Sequence, residues 1–333
     1  MLEGEGQIKA LIVWAAARRC VSRSDKTVRA MQKLELLVCV DLYRSATAKL
    51  ADYIIAPTLS LERDDVTMLT DTWYDEHYCH YTRAVLPKNP ESLEEWEVYW
   101  ELSHRTGVAL SLPGGTLDPT IRPSKFDVLK LLMPEARIPL KEIAEIGQGH
   151  IFESVQVTVE PSRAGQTDKF QCLPTDIAEQ LKTVAAETDW QQQGNVDAGA
   201  SYSHLLISRR LKHVYNSSGQ QLNALKQKGT TNPAYMHPSD LSAAGLISGQ
   251  LIEITSAAGA LIGVVEAAAD IKPGVISMAH AWGDLPDNGG AVRTQGSSTN
   301  RLVDDDRTFD SITGMPRMSA IPVNIRLVQE AIA

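Results

Sequence analysis

Two short apolar runs, Ile8-Lys-Ala-Leu-Ile-Val-Trp14 and Leu36-Leu-Val-Cys-Val40, flank a stretch in which Val28, Met31 and Leu34 recur at helical spacing. A buried strand is a continuous apolar run, and a surface helix shows one apolar face every three to four residues. Residues 8–60 therefore predict strand, helix, strand, with Ser24 or Asp25 as the helix N-cap. A right-handed crossover of this kind places the loop after Trp14 and the end of the second run, Asp41, on the carboxyl edge of a parallel sheet, where nucleotides usually bind. Asp41 then either accepts hydrogen bonds from a ribose or guanine, or caps a helix through Ser45 to Leu50.

Further along, Ser92 and Glu95 form an S-x-x-E box after Pro90, and Gly107 supplies a stop, so a helix is expected between them. Trp96, Tyr99 and Trp100 fall on one side of it and are read as core. Ser124–Met133 and Thr175–Ala186 carry helix patterns behind N-cap residues. Residues 107–171 are otherwise rich in Pro and Gly and read as connecting structure. Gln191-Gln-Gln-Gly-Asn-Val-Asp-Ala-Gly-Ala200 has linker composition, dividing the chain into residues 1–190 and 200–333.

From Leu205 the pattern changes to short β runs: Leu205–Ser208, Leu251–Thr255, Leu261–Glu266, Val275–Met278 and Ile321–Val328. Ala257-Ala-Gly259 is a hairpin turn between two of them. With one short helix near Ser239–Ala244, capped by Ser239 or Asp240, they suggest a small closed barrel.

Composition narrows the functional classes. The 333 residues, 43% hydrophobic, suffice for two domains with real cores. A net charge of -9 and a pI near 5.4 argue against nucleic acid or an anionic membrane as the main partner. The longest apolar stretch, Ala10–Ala17, is far shorter than the roughly 20 residues needed to cross a bilayer, and no signal peptide is visible, so a cytoplasmic location is expected. Cys20, Cys39, Cys79 and Cys172 form no C-x-x-C pair, which excludes a self-contained iron–sulfur or Cys-rich zinc site.

His77-Tyr-Cys-His80 offers soft metal ligands without an identifiable fourth partner and reads as an aromatic patch. The run Asp304-Asp-Asp306 reads as a solvated charge cluster. No Gly-x-Ser-x-Gly elbow or phosphate loop with Lys is present.

Ser208–Asn223 (SRRLKHVYNSSGQQLN), His237–Gln250 (HPSDLSAAGLISGQ), His280-Ala-Trp-Gly283, Thr299-Asn-Arg-Leu302 and Gly314-Met-Pro316 follow one another in an order and spacing that resembles the dinucleotide-binding end of the molybdopterin oxidoreductases, of the formate dehydrogenase and DMSO reductase type. Residues 10–65 resemble the end of that family's third domain in Leu11–Trp14, Asp41, Thr47-Ala48, Ala51-Asp52, Ala56-Pro57 and Glu62-Arg63-Asp64-Asp65. The resemblance implies an α/β layer, a partial third domain with a parallel sheet, followed by a double-psi β-barrel. It also implies that Met1 falls about half-way through such an enzyme.

Position by position, the resemblance implies cofactor contacts at Arg209, His213, Asn216, Ser217, His280, Trp282 and Asn300, with Asp41 and Thr47 from the α/β layer. These residue types suit the ligand: a guanidinium forks onto a diphosphate, and His, Asn and Ser address a pterin or guanine edge. Without the resemblance, Arg209, Arg210 and His213 read as a solvated basic face.

The chain departs from the family where Gly-Gly-Asn-Pro is replaced by Ala15-Ala16-Ala17-Arg18, and Glu-Thr by Ala46-Thr47. Alanine resists the left-handed backbone that glycine adopts by about 1–2 kcal/mol, and it crowds a diphosphate. Arg18 and Arg19 either compensate by pairing with phosphate or the third-domain site has decayed.

The implied cofactor is molybdopterin guanine dinucleotide, its molybdenum or tungsten held mainly by a missing half. The implied partner is an N-terminal half or catalytic subunit supplying the metal ligand and an iron–sulfur cluster. A diverged scaffolding subunit with no cofactor bound in this chain is the alternative. Either one leaves apolar surface for a partner or for self-association.

Overall fold

The computed structural model describes residues 4–14, 24–68, 73–74, 76–153, 164–165, 167, 169–186, 195–197, 200–220, 222–226, 231–283 and 289–329. The loop Ala15-Ala16-Ala17-Arg18, Arg19, Cys20 and most of the expected linker lie outside these residues.

The first apolar run forms β1 (Ala10–Trp14), followed by helix α1 (Ser24–Met31) and β2 (Leu36–Val40). With β3 (Tyr53–Ile55) they make a three-stranded sheet in the order β1-β2-β3. Val13, Met31 and Leu37 pack as its core, with Leu34, just beyond α1, against them, while Val28 stays outside that cluster. The helix expected through Ser45–Leu50 shrinks to a single 3-10 turn, Ala48–Leu50, whose first N–H bonds to the Ser45 hydroxyl at 3.2 Å.

By contacts the chain divides into two compact units, one of residues 1–39, 44–53 and 170–333, the other of residues 40–43 and 54–169. In the second, α2 (Glu95–Thr106) starts later than the S-x-x-E box predicts. Leu93 is held extended by main-chain bonds to Ala56 and Thr58, so the helix cannot begin at Ser92. Glu94 becomes the N-cap, its N–H donating to the Glu97 carboxylate at 2.7 Å. Gly107 ends the helix with φ +71°, as expected. Of the aromatic stripe, Trp100 is buried but Tyr99 faces outward, 42% exposed. Helices α3 (Lys125–Leu132), capped by Ser124, and α4 (Leu140–Glu145) complete this core around Leu129 and Ile143.

In the first unit, α5 (Thr175–Ala186) precedes six strands that close a barrel: β4 (His204–Arg209), β5 (Ala234–Met236), β6 (Leu251–Thr255), β7 (Ala260–Ala267), β8 (Val275–Ala279) and β9 (Ile321–Leu327). Around the barrel they run β4-β8-β5-β7-β6-β9. The β4/β8 and β5/β7 pairs are parallel and the others antiparallel.

The alternation of β7 sends Leu261 and Val265 inward to meet Leu206, Met236, Ile252 and Ile276, all essentially unexposed. Each such side chain contributes roughly 1.5–3 kcal/mol of burial. The expected hairpin is present, with Ser256 N–H donating to Gly259 O at 2.8 Å.

Strand β5 escaped the sequence reading, since three residues with an outward Tyr235 carry no run or alternation. Helix α6 (Pro238–Ala243) is capped by His237, whose Nδ1 accepts from the Ser239 N–H, and not by Ser239 or Asp240. Asp240 instead accepts from Gly274 N–H at 2.7 Å.

Candidate cofactor-binding site

At one end of the barrel a cavity of about 420 Å³ is lined by Ser208, Arg209, Arg210, Asn216, His280, Thr299, Asn300, Val303 and Met318. Four chain segments meet there: the end of β4 and the turn after it, the turn after β8, the 3-10 turn at Thr299–Leu302 with Val303, and Met318 just before β9. Four sequence-predicted residues, Arg209, Asn216, His280 and Asn300, come together in its wall.

Their electrostatics suit a polar, anionic ligand. The Arg209 guanidinium lies over the Tyr235 ring, and Arg210 donates to the Asn216 side-chain oxygen. Asn216 adopts φ +54°, a left-handed conformation that asparagine tolerates better than most residues. Burial, with Arg210 nearby, holds the His280 imidazole below its ordinary pKa of 6.5, while a bond to the Arg209 main chain pulls the other way. At neutral pH His280 is thus uncharged, with one nitrogen a donor and the other an acceptor.

The other predicted residues do not line the cavity. Trp282 is buried at 4% exposure, and Thr47 is fully buried. His213 and Ser217 are half-buried in the turn after β4. Asp41, in the second unit, does not cap a helix: one oxygen accepts from Tyr43 N–H at 3.2 Å, and the other is buried with no partner among the described residues. A buried carboxylate oxygen without a donor is costly, and a ligand N–H or O–H would relieve it.

Sequence reasoning missed Arg210, Thr299 and Met318 as lining residues, and Tyr235 beneath Arg209. Arg210 adjoins a predicted residue, and adjacency alone would have recovered it.

His80 Nδ1 is bonded to the Thr82 hydroxyl at 3.2 Å, and among the described residues no group of three or more His, Cys, Asp or Glu is placed to hold an ion. The acidic run stays at the surface and is paired there: Asp306, its side chain 55% exposed, meets Lys26 at 2.5 Å, and Asp304 meets Arg307 at 2.5 Å. No helix among the described residues is long and apolar enough to cross a membrane.

Residues 205–322, which contain the whole cavity wall, match the model of the molydopterin dinucleotide binding domain. Over 312 residues the chain is 24% identical to a trimethylamine-N-oxide reductase of Haemophilus influenzae, covering 83% of this chain and 36% of that protein. Its fold is similar to that of the acetylene hydratase of Pelobacter acetylenicus, with a TM-score of 0.64 at 18% identity over 95% of this chain and 44% of that one. The chain thus spans well under half the length of these proteins. A closed barrel that carries the dinucleotide-binding pattern, and a likeness to a trimethylamine-N-oxide reductase along most of the chain, support a resemblance to the molybdopterin oxidoreductases of the DMSO reductase family.

Proposed function

We propose that this chain is the dinucleotide clamp of a molybdopterin-dependent oxidoreductase, gripping a molybdopterin guanine dinucleotide in the cleft at the end of the barrel. The observation that carries the reading is the convergence of Arg209, Asn216, His280 and Asn300 on one cavity from three separated segments. The two parallel pairs, β4/β8 and β5/β7, interleaved with antiparallel ones, support a double-psi barrel.

The chain's own contribution is binding and orientation. Arg209, steadied by Tyr235, presents a planar fork to a diphosphate. Neutral His280 and the carboxamides of Asn216 and Asn300 supply the donors and acceptors that recognise a pterin or purine edge. The bound molybdopterin would supply the two-electron redox chemistry through its metal. That metal's protein ligand and any iron–sulfur cluster would come from outside these 333 residues, which supply the clamp alone.

The test is to isolate the chain from its native source with whatever copurifies, then to assay molybdenum, tungsten and acid-released guanine nucleotide. Stoichiometric nucleotide with metal and a partner supports the reading. A partner with neither metal nor nucleotide would instead identify a scaffolding subunit.

A further inference from the structure

Asn232 is absent from the cavity wall, yet it joins two of the segments that form it. Its side chain is 2% exposed, and its Nδ2 donates to Ala279 O at 2.7 Å and to Ser297 O at 2.8 Å, while its Oδ1 accepts from Ser297 N–H at 2.8 Å. Ala279 immediately precedes His280, and Ser297 lies just before Thr299 and Asn300. We infer that Asn232 is a positioning residue of the cleft, setting the separation between His280 and Asn300 through three hydrogen bonds to the main chain.

The backbone around it is built to admit this one carboxamide. Gly296 has φ +73°, and a Cβ there would collide with Asn232 Oδ1. Gly283 has φ +71°, and its Cβ would lie 2.7 Å from Ser297 Cα, so the two turns pack backbone against backbone. Between them the direct main-chain bond is Gly283 N–H to Gln295 O at 3.1 Å. Asn232 supplies the others.

A second carboxamide works on the same turn from the stretch after β4. Gln220 donates to Ala281 O at 2.8 Å, where Ala281 is held at φ +64°, a conformation alanine avoids unless its surroundings enforce it. The His280 turn is thus suspended between two amide side chains. An aliphatic residue of the same volume would fill the space of Asn232, but would leave two carbonyls and one N–H buried without partners.

For its binding readout the inference rests on the cleft being the dinucleotide site, so the test carries a second readout that needs no ligand. In the full chain, the imidazole titrations of His280 and His204 are followed by NMR in wild type and N232A, alongside the affinity for GDP as a probe. Release of the turn exposes His280, so its pKa rises toward 6.5 in N232A while that of His204 stays put. GDP binding falls by about tenfold, the scale on which a misplaced preorganised group costs affinity.

A folded N232A whose His280 titration matches wild type overturns the inference, as does a parallel shift of both histidines, which would mark general loosening of the barrel. If N232A does not fold, N232D takes its place, since it keeps the shape and the acceptor for Ser297 N–H while losing the donated bonds. Failure of both to fold assigns Asn232 to folding alone and overturns the positioning role. Absence of GDP binding by the wild type defeats the cofactor reading, and the histidine titration still decides this one.

Discussion

The guanidinium carbon of Arg209 sits 4.3 Å from the ring centroid of Tyr235, although the two belong to strands that are not neighbours in the barrel. β8 runs between them, pairing Arg209 with Ala279 and Tyr235 with Ser277. Ala279 and Ser277 are small enough for the arginine and the tyrosine to meet over that strand. Desolvation, with the Glu266 charge nearby, pushes the Tyr235 phenol above its ordinary pKa, so the ring stays neutral and its π face remains available to the cation.

A stacked guanidinium has fewer rotamers to lose when it grips a phosphate, and a cation–π contact at a half-exposed site contributes about 0.5–1 kcal/mol. Tyr235→Ala is therefore expected to weaken GDP binding by about two- to fivefold, with Tyr235→Phe close to wild type because the ring, not the hydroxyl, holds Arg209. Calorimetric titration of the three proteins checks this. Equal loss in both variants would assign the effect to the hydroxyl.

Gly283 and Gly107 share φ +71° but differ in surroundings, which separates backbone strain from collision. Gly107 has nothing within 4 Å of its absent Cβ, whereas at Gly283 Ser297 Cα stands at 2.7 Å. Gly107→Ala should cost about 1–2 kcal/mol, the left-handed penalty alone. Gly283→Ala should cost clearly more and also weaken GDP binding, because the turn carrying His280 must move. Denaturant midpoints of the two variants give the comparison, and equal costs would refute the close packing of the two turns.

The contrast between what the sequence displays and what it hides follows from the reach of each interaction. Strands β6 to β9 are written in local apolar runs, so their positions were legible to within a residue or two. Helix α2 was legible in extent but not in its first residue, because Leu93 is captured by Ala56 and Thr58 from far along the chain. At the site, the family resemblance led to Arg209, Asn216, His280 and Asn300, yet Asn232 was invisible. Its bonds run to main-chain atoms 47 and 65 residues away, and no local pattern marks a residue whose partners are carbonyls. The grouping of residues 1–39 with the barrel is likewise a long-range association, in which Lys26 of α1 meets Asp305 and Asp306.

Glu97, buried in α2, ties together Lys88, Arg122 and the Glu94 N–H. Burial pushes its carboxyl upward, but the Lys88 hydrogen bond, the Glu94 main chain and Arg122 more than offset this and hold it below the ordinary value of 4.5. A carboxylate with a depressed folded pKa stabilises above its unfolded value, and loses that contribution as pH falls through the folded one. Glu97→Gln is expected to cost about 2 kcal/mol at pH 7, as for a charged hydrogen-bonded group removed from a buried site. The cost should shrink toward pH 3, and a penalty independent of pH would show that the charge is immaterial.

Between pH 7.5 and 5 the sign of the pH dependence should be set by two histidines. Burial holds His204 below 6.5 against the opposing pull of Asp240, and burial with Arg210 does the same at His280 against the Arg209 main chain. The unfolded chain takes up these protons near pH 6.5 and the folded chain only at lower pH, so across that window the unfolded state binds more of them. Stability should be complete above about pH 6.5 and fall as the pH drops further. Denaturant midpoints at pH 7.5 and 5.5 measure the slope, and H204Q and H280Q should each remove a part of it. An anion bound beside His280 acts in the opposite sense, raising the imidazole pKa. GDP should therefore bind with uptake of a fraction of a proton near pH 6 and flatten the slope in wild type but not in H280Q. A slope unchanged by H280Q would place the charge-sensitive group outside the cleft.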